Sequence, residues 1–231
     1  MKLMAITLDS YIFDPENTSV RDGMEEVGGR DERRFVLRGL VVGKGSVDEV
    51  ESELDNILDE ASKAGYGAKL SLRADREFAV ERERFERKIG EEELIGAFEL
   101  ELRARDPFEY ATEETVDQWN VTGSGQTKEA TAAGNVYSKP RFTLTASGNV
   151  VNPSISDGTC TIAYVGTVAN GEVLVFDAAA CTVALEGEDV LPYTTGEFPR
   201  ISPEGTTLEY TDDESSSHTA TIQIAFRDRW W

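Results

Sequence analysis

The sequence predicts a mainly β protein of two domains: an α+β unit carrying one amphipathic helix, then an antiparallel β-sandwich. Three observations carry that reading. Only "SVDEVESELDNILDEASKAG" repeats its apolar residues at helical spacing, whereas the segments around it alternate with period two. Beyond residue 136, short β-branched runs follow one another between turn signals. The composition, 39% hydrophobic and 29% charged over 231 residues, is that of a folded chain long enough for two cores.

The helix is predicted over 46–64. Ser46 stands as N-cap with Glu49 three residues on, a capping box that satisfies N–H groups left over at a helix start. Val47, Val50, Leu54, Ile57, Leu58 and Ala61 form one apolar stripe, and Gly65 is placed for a left-handed terminator. "RRFVLRGLVVG" before the helix reads as a strand, as do "AKLSLRAD" and "REFAVERERFERK" after it. In "LIGAFELELRARDPF", Phe98, Leu100 and Leu102 share one face, with Glu99, Glu101 and Arg103 on the other; Pro107 ends the strand because it lacks a ladder donor. The first domain is therefore placed at 1–110.

Residues 111–135 are rich in Gly, Thr, Ser and Ala and lose apolar periodicity, which predicts a linker or a long exposed hairpin. Over 136–231, "RFTLTASG", "TCTIAYVG", "EVLVFD", "CTVALEG", "TTLEYT" and "ATIQIAF" are separated by Asn-Pro, Asp-Gly, Asn-Gly and Pro-Glu-Gly. That cadence predicts the sandwich.

The formal net charge of −21 argues against tight nucleic-acid binding, which requires clustered Lys and Arg, and against an anionic membrane surface. It favours a basic partner, a surface that repels polyanions, or a salt-rich host. No run reaches the roughly 18–20 apolar residues of a membrane helix, and "MKLMAITLDSYIF" does not read as a secretory signal. Cys160 and Cys181 are expected as buried, reduced thiols. The single histidine, His218, sits in the polar run "DDESSSHT" and is expected as a solvated loop residue. With no second histidine, no phosphate-loop pattern and no calcium-loop spacing, the sequence predicts no metal, no cofactor and no enzyme. Tyr137, Tyr164, Tyr193 and Tyr210 read as core, or alternatively as a sugar-binding face.

The segment "IAFRDRWW" places Trp230 and Trp231 beside Arg227 and Arg229. Two indoles, each able to bury about 150–250 Å², are expected either to finish the sandwich core or to meet a neighbouring component, with the arginines pairing to carboxylates.

Four stretches taken in order resemble the distal tail protein (Dit) family of long-tailed, siphovirus-like viruses. They are "FELELRARDPFEY", "KPRFTLTASG" with "NPSI" after it, "NGEVLVFD", and "GEFPRISPEGTTLEY" leading to a close on Arg227-Asp228-Arg229-Trp230. Where the family usually has Pro-Gly, this chain has Pro203-Glu204-Gly205, and it is more acidic than the family pattern. The resemblance implies a galectin-like second domain and a structural role at the virion tail tip, with assembly in the host cytoplasm. It implies a homo-hexameric ring joining the tail-tube protein to a hub, tail-fibre or tail-associated lysin protein, with a receptor-binding component as a further partner. Genome would pass through a central hole. Candidate interface residues are Trp230, Trp231, Arg227, Arg229, Pro107 and Phe108, and candidate channel-lining residues are Glu99 and Glu101. The alternatives are a carbohydrate-binding sandwich module and, behind it, a glycan-degrading enzyme.

Overall fold

Alternation along the strands and one helical stripe build two separate units, 1–112 and 113–231, in the computed structural model, which describes residues 5–63, 65, 67–90 and 94–231. The N-terminal unit contains β1 (Ile6–Leu8), β2 (Tyr11–Phe13), β3 (Thr18–Val27), β4 (Arg30–Val41), α1 (Val47–Ala61), β5 (Ala68–Arg73), β6 (Arg76–Gly90), β7 (Ile95–Ala104) and β8 (Glu109–Ala111). The strands hydrogen-bond in the order β2-β1-β5-β6-β7-β4-β3, and β8 pairs with the start of β6. The strand β6 serves both halves of this array. Its first residues pair with β5, and from Glu81 onward it pairs with β7. Gly28 and Gly29, with φ of 59° and 78°, make the two-residue turn of the β3–β4 hairpin, where Val27 faces Arg30. Positive φ at both turn positions is what a type I′ connection requires.

The helix is held by the predicted box in altered form. Glu49 N–H donates to the Ser46 hydroxyl oxygen at 3.2 Å, while the Glu49 carboxylate accepts from Gly45 N–H rather than from Ser46. Val50, Leu54, Ile57 and Ala61 are buried; Val47 and Leu58 are only half-buried. The helix ends sooner than predicted. Ser62 caps it with its hydroxyl donating to Leu58 C=O at 2.6 Å, an internal bond that competes with continuation. Gly65 does take a positive φ of 65°, but beyond the helix, and Ala64 lies outside the described residues. Val50 and Leu54 press onto β7 at Gly96, where an added Cβ would sit 2.7 Å from Val50 Cγ1. The core beneath α1 is Leu8, Phe13, Phe35, Leu37, Phe78, Leu100 and Leu102 with their neighbours.

The C-terminal unit contains β9 (Thr115–Val121), β10 (Gln126–Ala130), β11 (Arg141–Ala146), β12 (Val150–Val151), β13 (Ser154–Ser156), β14 (Thr161–Tyr164), β15 (Thr167–Val168), β16 (Val173–Asp177), β17 (Thr182–Leu185), β18 (Glu188–Asp189), β19 (Thr194–Gly196), β20 (Thr206–Thr211) and β21 (Ala220–Phe226). One sheet runs β10-β20-β13-β14-β19 and the other β18-β17-β16-β11-β21-β9, with β12 and β15 as a small separate pair. All pairings are antiparallel. Phe142, Leu144, Leu174, Phe176, Ile222 and Ile224 from the larger sheet meet Ile155, Ile162, Leu208 and Tyr210 from the smaller. This is an antiparallel sandwich.

Two expectations need correction here. Residues 111–135 are neither a linker nor a hairpin: β9 pairs with β21 in one sheet and β10 with β20 in the other. Trp119 and Val121 point into the core, and the Trp119 ring meets Tyr210 edge-on at 6.4 Å. Both strands are sheet edges with one wet face, so their sequence has little apolar content to announce them. The cysteines are free but not buried; Cys160 is half-buried and Cys181 exposed.

Candidate functional site

The residues singled out from the sequence fall into two groups, one in each unit. In the C-terminal unit, 228–231 interlock with 133–137. Asp228 Oδ1 accepts from Ala133 N–H at 2.7 Å, and the Arg229 carbonyl accepts from Asn135 N–H at 3.0 Å and Val136 N–H at 3.3 Å. The Trp231 N–H donates to Asn135 Oδ1 at 2.8 Å. Gly134 is required at this crossing, because a Cβ there would lie 1.9 Å from the Arg229 carbonyl oxygen. Arg229, only 2% exposed, donates to the Tyr137 carbonyl at 3.1 Å and lies 5.5 Å from the Tyr137 ring centroid. A carbonyl and a ring are thus among its partners, beside the carboxylates expected from the sequence. Arg227 is half-buried. Neither indole joins the sandwich core: Trp230 is half-buried, and Trp231 is 59% exposed.

In the N-terminal unit, Pro107 is buried and Phe108 half-buried. The Pro107 carbonyl accepts from Arg33 Nη1 at 3.3 Å. Arg33 also grips Asp22 through Nε and Nη2 at 2.8 and 2.6 Å and stacks on Phe78 at 4.7 Å. The Asp22 hydrogen bond, supported by its charge, holds the Arg33 guanidinium pKa above its usual value. The Pro107 carbonyl is thus tied to Arg33 of its own unit.

Glu99 and Glu101 project from β7 on the polar side of the sheet and are not free carboxylates. Glu99 pairs with Arg38, whose hydrogen bond holds the Glu99 pKa below the ordinary carboxylate range. Glu101 pairs with Arg34 at 3.0 Å and with Arg84 at 3.5 Å. Glu83, at the register shift of β6, joins Arg34 at 2.9 Å to Arg103 at 3.4 Å. The four strands β3, β4, β6 and β7 hold eleven basic and eleven acidic residues. The sheet is charge-balanced, while α1 has seven acidic residues and no basic one. In the C-terminal unit six basic residues stand against seventeen acidic ones.

His218 is also not a simple solvated residue. Its Nδ1 lies 2.7 Å from Asp212 Oδ1, and the fully shielded Asp212 carboxylate also accepts from the Tyr210 hydroxyl at 3.0 Å. Among the described residues, no group of three or more His, Cys, Asp or Glu is placed to hold a metal ion.

Residues 133–230 match the family described as the siphovirus-type tail component, C-terminal domain, of SPP1 Dit type. The matched stretch begins at Ala133 and ends at Trp230, the two sides of the interlock. The solved structure of SPP1 Dit (gp 19.1), described as a paradigm of the hub adsorption apparatus in phages infecting Gram-positive bacteria, is similar over 100% of both chains, with a TM-score of 0.68 at 12% identity. At that identity the likeness shows the fold. No curated protein sequence matches. The fold along the chain is Dit-like, and its C-terminal unit matches a tail-component domain. Residues 133–230 are thus similar to the C-terminal domain of the Dit-type siphovirus tail components.

Proposed function

We propose that the protein is a hexameric ring adaptor at the virion tail tip, assembled in the host cytoplasm, that joins the tail-tube protein to the hub or tail-fibre protein. The observation that carries this reading is the match of residues 133–230 to the tail-component domain, supported by a Dit-like fold along the whole chain. The exposed Trp231 and half-buried Trp230 are the surface proposed to meet a neighbouring component. In the same proposal the protein works mechanically, without catalysis, and a receptor-binding component is a further partner.

The proposed bore is crossed by DNA without retention. Copies of a chain at −21 supply repulsion, because a duplex binds when clustered Lys and Arg displace its condensed counterions into solution. In this proposal Glu99 and Glu101 contribute as carboxylates paired with arginines, and the acidic excess of α1 and of the C-terminal unit adds to the repulsion. Arg34, Arg38, Arg84 and Arg103 of the sheet are engaged by glutamates, which reduces what they offer a sliding duplex.

Electron microscopy and sedimentation of the purified protein test the reading. Six-membered rings are the expected result. Well-folded monomers at every salt and protein concentration, together with virions that lack the protein, would refute it. A ring map with a basic bore would remove the charge argument alone.

A further inference from the structure

The polar outer side of the smaller sandwich sheet holds a cleft of about 660 Å³, bounded by Thr127, Tyr137, Thr159, Arg200, Thr207 and Glu209. Its volume lies within the roughly 300–1,000 Å³ of small-molecule sites. The floor comes from the outward residues of β10 and β20, where register sets Thr127 opposite Glu209 and Glu129 opposite Thr207. The Thr207 hydroxyl donates to Glu129 at 2.6 Å, which fixes that part of the floor.

The walls are equally fixed. Asp157 accepts from the N–H groups of Thr159, Cys160 and Arg200 at 2.7–2.8 Å, tying the loop after β13 to the Arg200 backbone. The Arg200 guanidinium lies 4.5 Å from the ring centroid of Tyr137, which is 38% exposed. Among the described residues, no carboxylate lies within 4.0 Å of that guanidinium in an ion pair, whereas Lys128 has Asp117 at 2.8 Å and Arg141 has Glu114 at 3.1 Å. Arg200 is thus a donor held by its own backbone and by a ring, its charge felt by Asp157 but not closed in a salt bridge.

One guanidinium, two carboxylates (one of them, Asp157, taken up by backbone N–H groups) and several hydroxyls surround a partly exposed tyrosine. That mixture of donors, acceptors and aromatic surface complements a saccharide, whose hydroxyls both give and take hydrogen bonds and whose C–H face is apolar. Asp157 and Glu209 disfavour a simple anion, and the threonine floor disfavours an apolar guest. We propose that this cleft binds a short, uncharged glycan, a role separate from ring formation.

The test uses the purified full chain on an array of bacterial oligosaccharides and polysaccharide fragments, with Arg200→Ala, Glu209→Gln and the cleft-filling Thr207→Trp. Tyr193→Ala is the control, since Tyr193 is 63% exposed but is not a lining residue. The expected result is binding by the native protein, weakened at least about tenfold by each cleft variant and unchanged by Tyr193→Ala. Unaltered melting of each variant establishes that folding is not the cause. No signal from the native protein, equal signals from native protein and cleft variants, or signals confined to phosphate- or uronate-bearing glycans would each overturn the proposal. Rings are scored independently by microscopy, so failure of the glycan site and failure of the ring are separate results.

Discussion

Gly96→Ala tests how closely α1 is seated on its sheet. The new methyl would lie 2.7 Å from Val50 Cγ1 and 3.0 Å from Leu54 Cδ1, against an ordinary carbon–carbon separation of about 3.5–4.0 Å. Val50 and Leu54 are fully buried, and a β-branched valine cannot swing aside at χ1. The helix must therefore retreat, and overpacking of this kind costs about 1–3 kcal/mol. Gly96 has no positive φ, so alanine fits its backbone and recovers about 0.4–1 kcal/mol through the unfolded chain. The net expectation is a loss of about 1–2 kcal/mol, or about 5–10 °C in the calorimetric transition of the N-terminal unit. Val50→Ala removes the closest obstacle, so the double variant should be more stable than the two single losses predict, by at least about 1 kcal/mol. A Gly96→Ala protein that melts with the native one, or a strictly additive pair, would show that the helix is not seated as described.

Ser46→Ala removes the acceptor for Glu49 N–H and should cost about 1 kcal/mol in urea unfolding, again in the N-terminal unit. Burial alone would raise the Asp157 pKa, but the hydrogen bonds from Cys160, Arg200 and Thr159 hold it below the ordinary value of 3.8. Its stabilisation is therefore complete above about pH 4 and is lost as pH falls through the lower folded value. Native protein and Asp157→Asn should converge in urea midpoint on acidification from pH 5 to pH 2.5, and parallel profiles would contradict this. His218→Ala leaves the shielded Asp212 carboxylate without its imidazole partner and should cost about 1–3 kcal/mol, read by chemical unfolding at neutral pH. Removal of Trp230 and Trp231 should leave melting intact and abolish rings in sedimentation; lost folding would return the indoles to a structural role.

Local chemistry was the most legible part of the sequence. The Ser46–Glu49 relation spans three residues and is encoded by two side chains, and β7 alternates so regularly that its buried face could be named in advance. Where the partner is distant, the signal fades. Trp119 faces Ile222 across a register that joins residues about a hundred apart, and one indole among threonines and glycines does not disclose that pairing. Arg229 reads as a surface cation until the Tyr137 carbonyl is brought to it. Glu99 and Glu101 read as an acidic row because strand alternation reveals which face they share, but not that Arg38, Arg34 and Arg84 arrive from neighbouring strands to match them.

The step from β9 in one sheet to β10 in the other stitches the two layers of the sandwich together. A fragment cut where the family match begins, at Ala133, would leave both layers with raw borders: β21 stripped along one edge, β20 along another, and the Tyr210 ring without its indole cover. Unpaired borders of this kind recruit strands from other molecules. A soluble C-terminal half therefore has to be excised upstream of Thr115, and the shorter piece should clump.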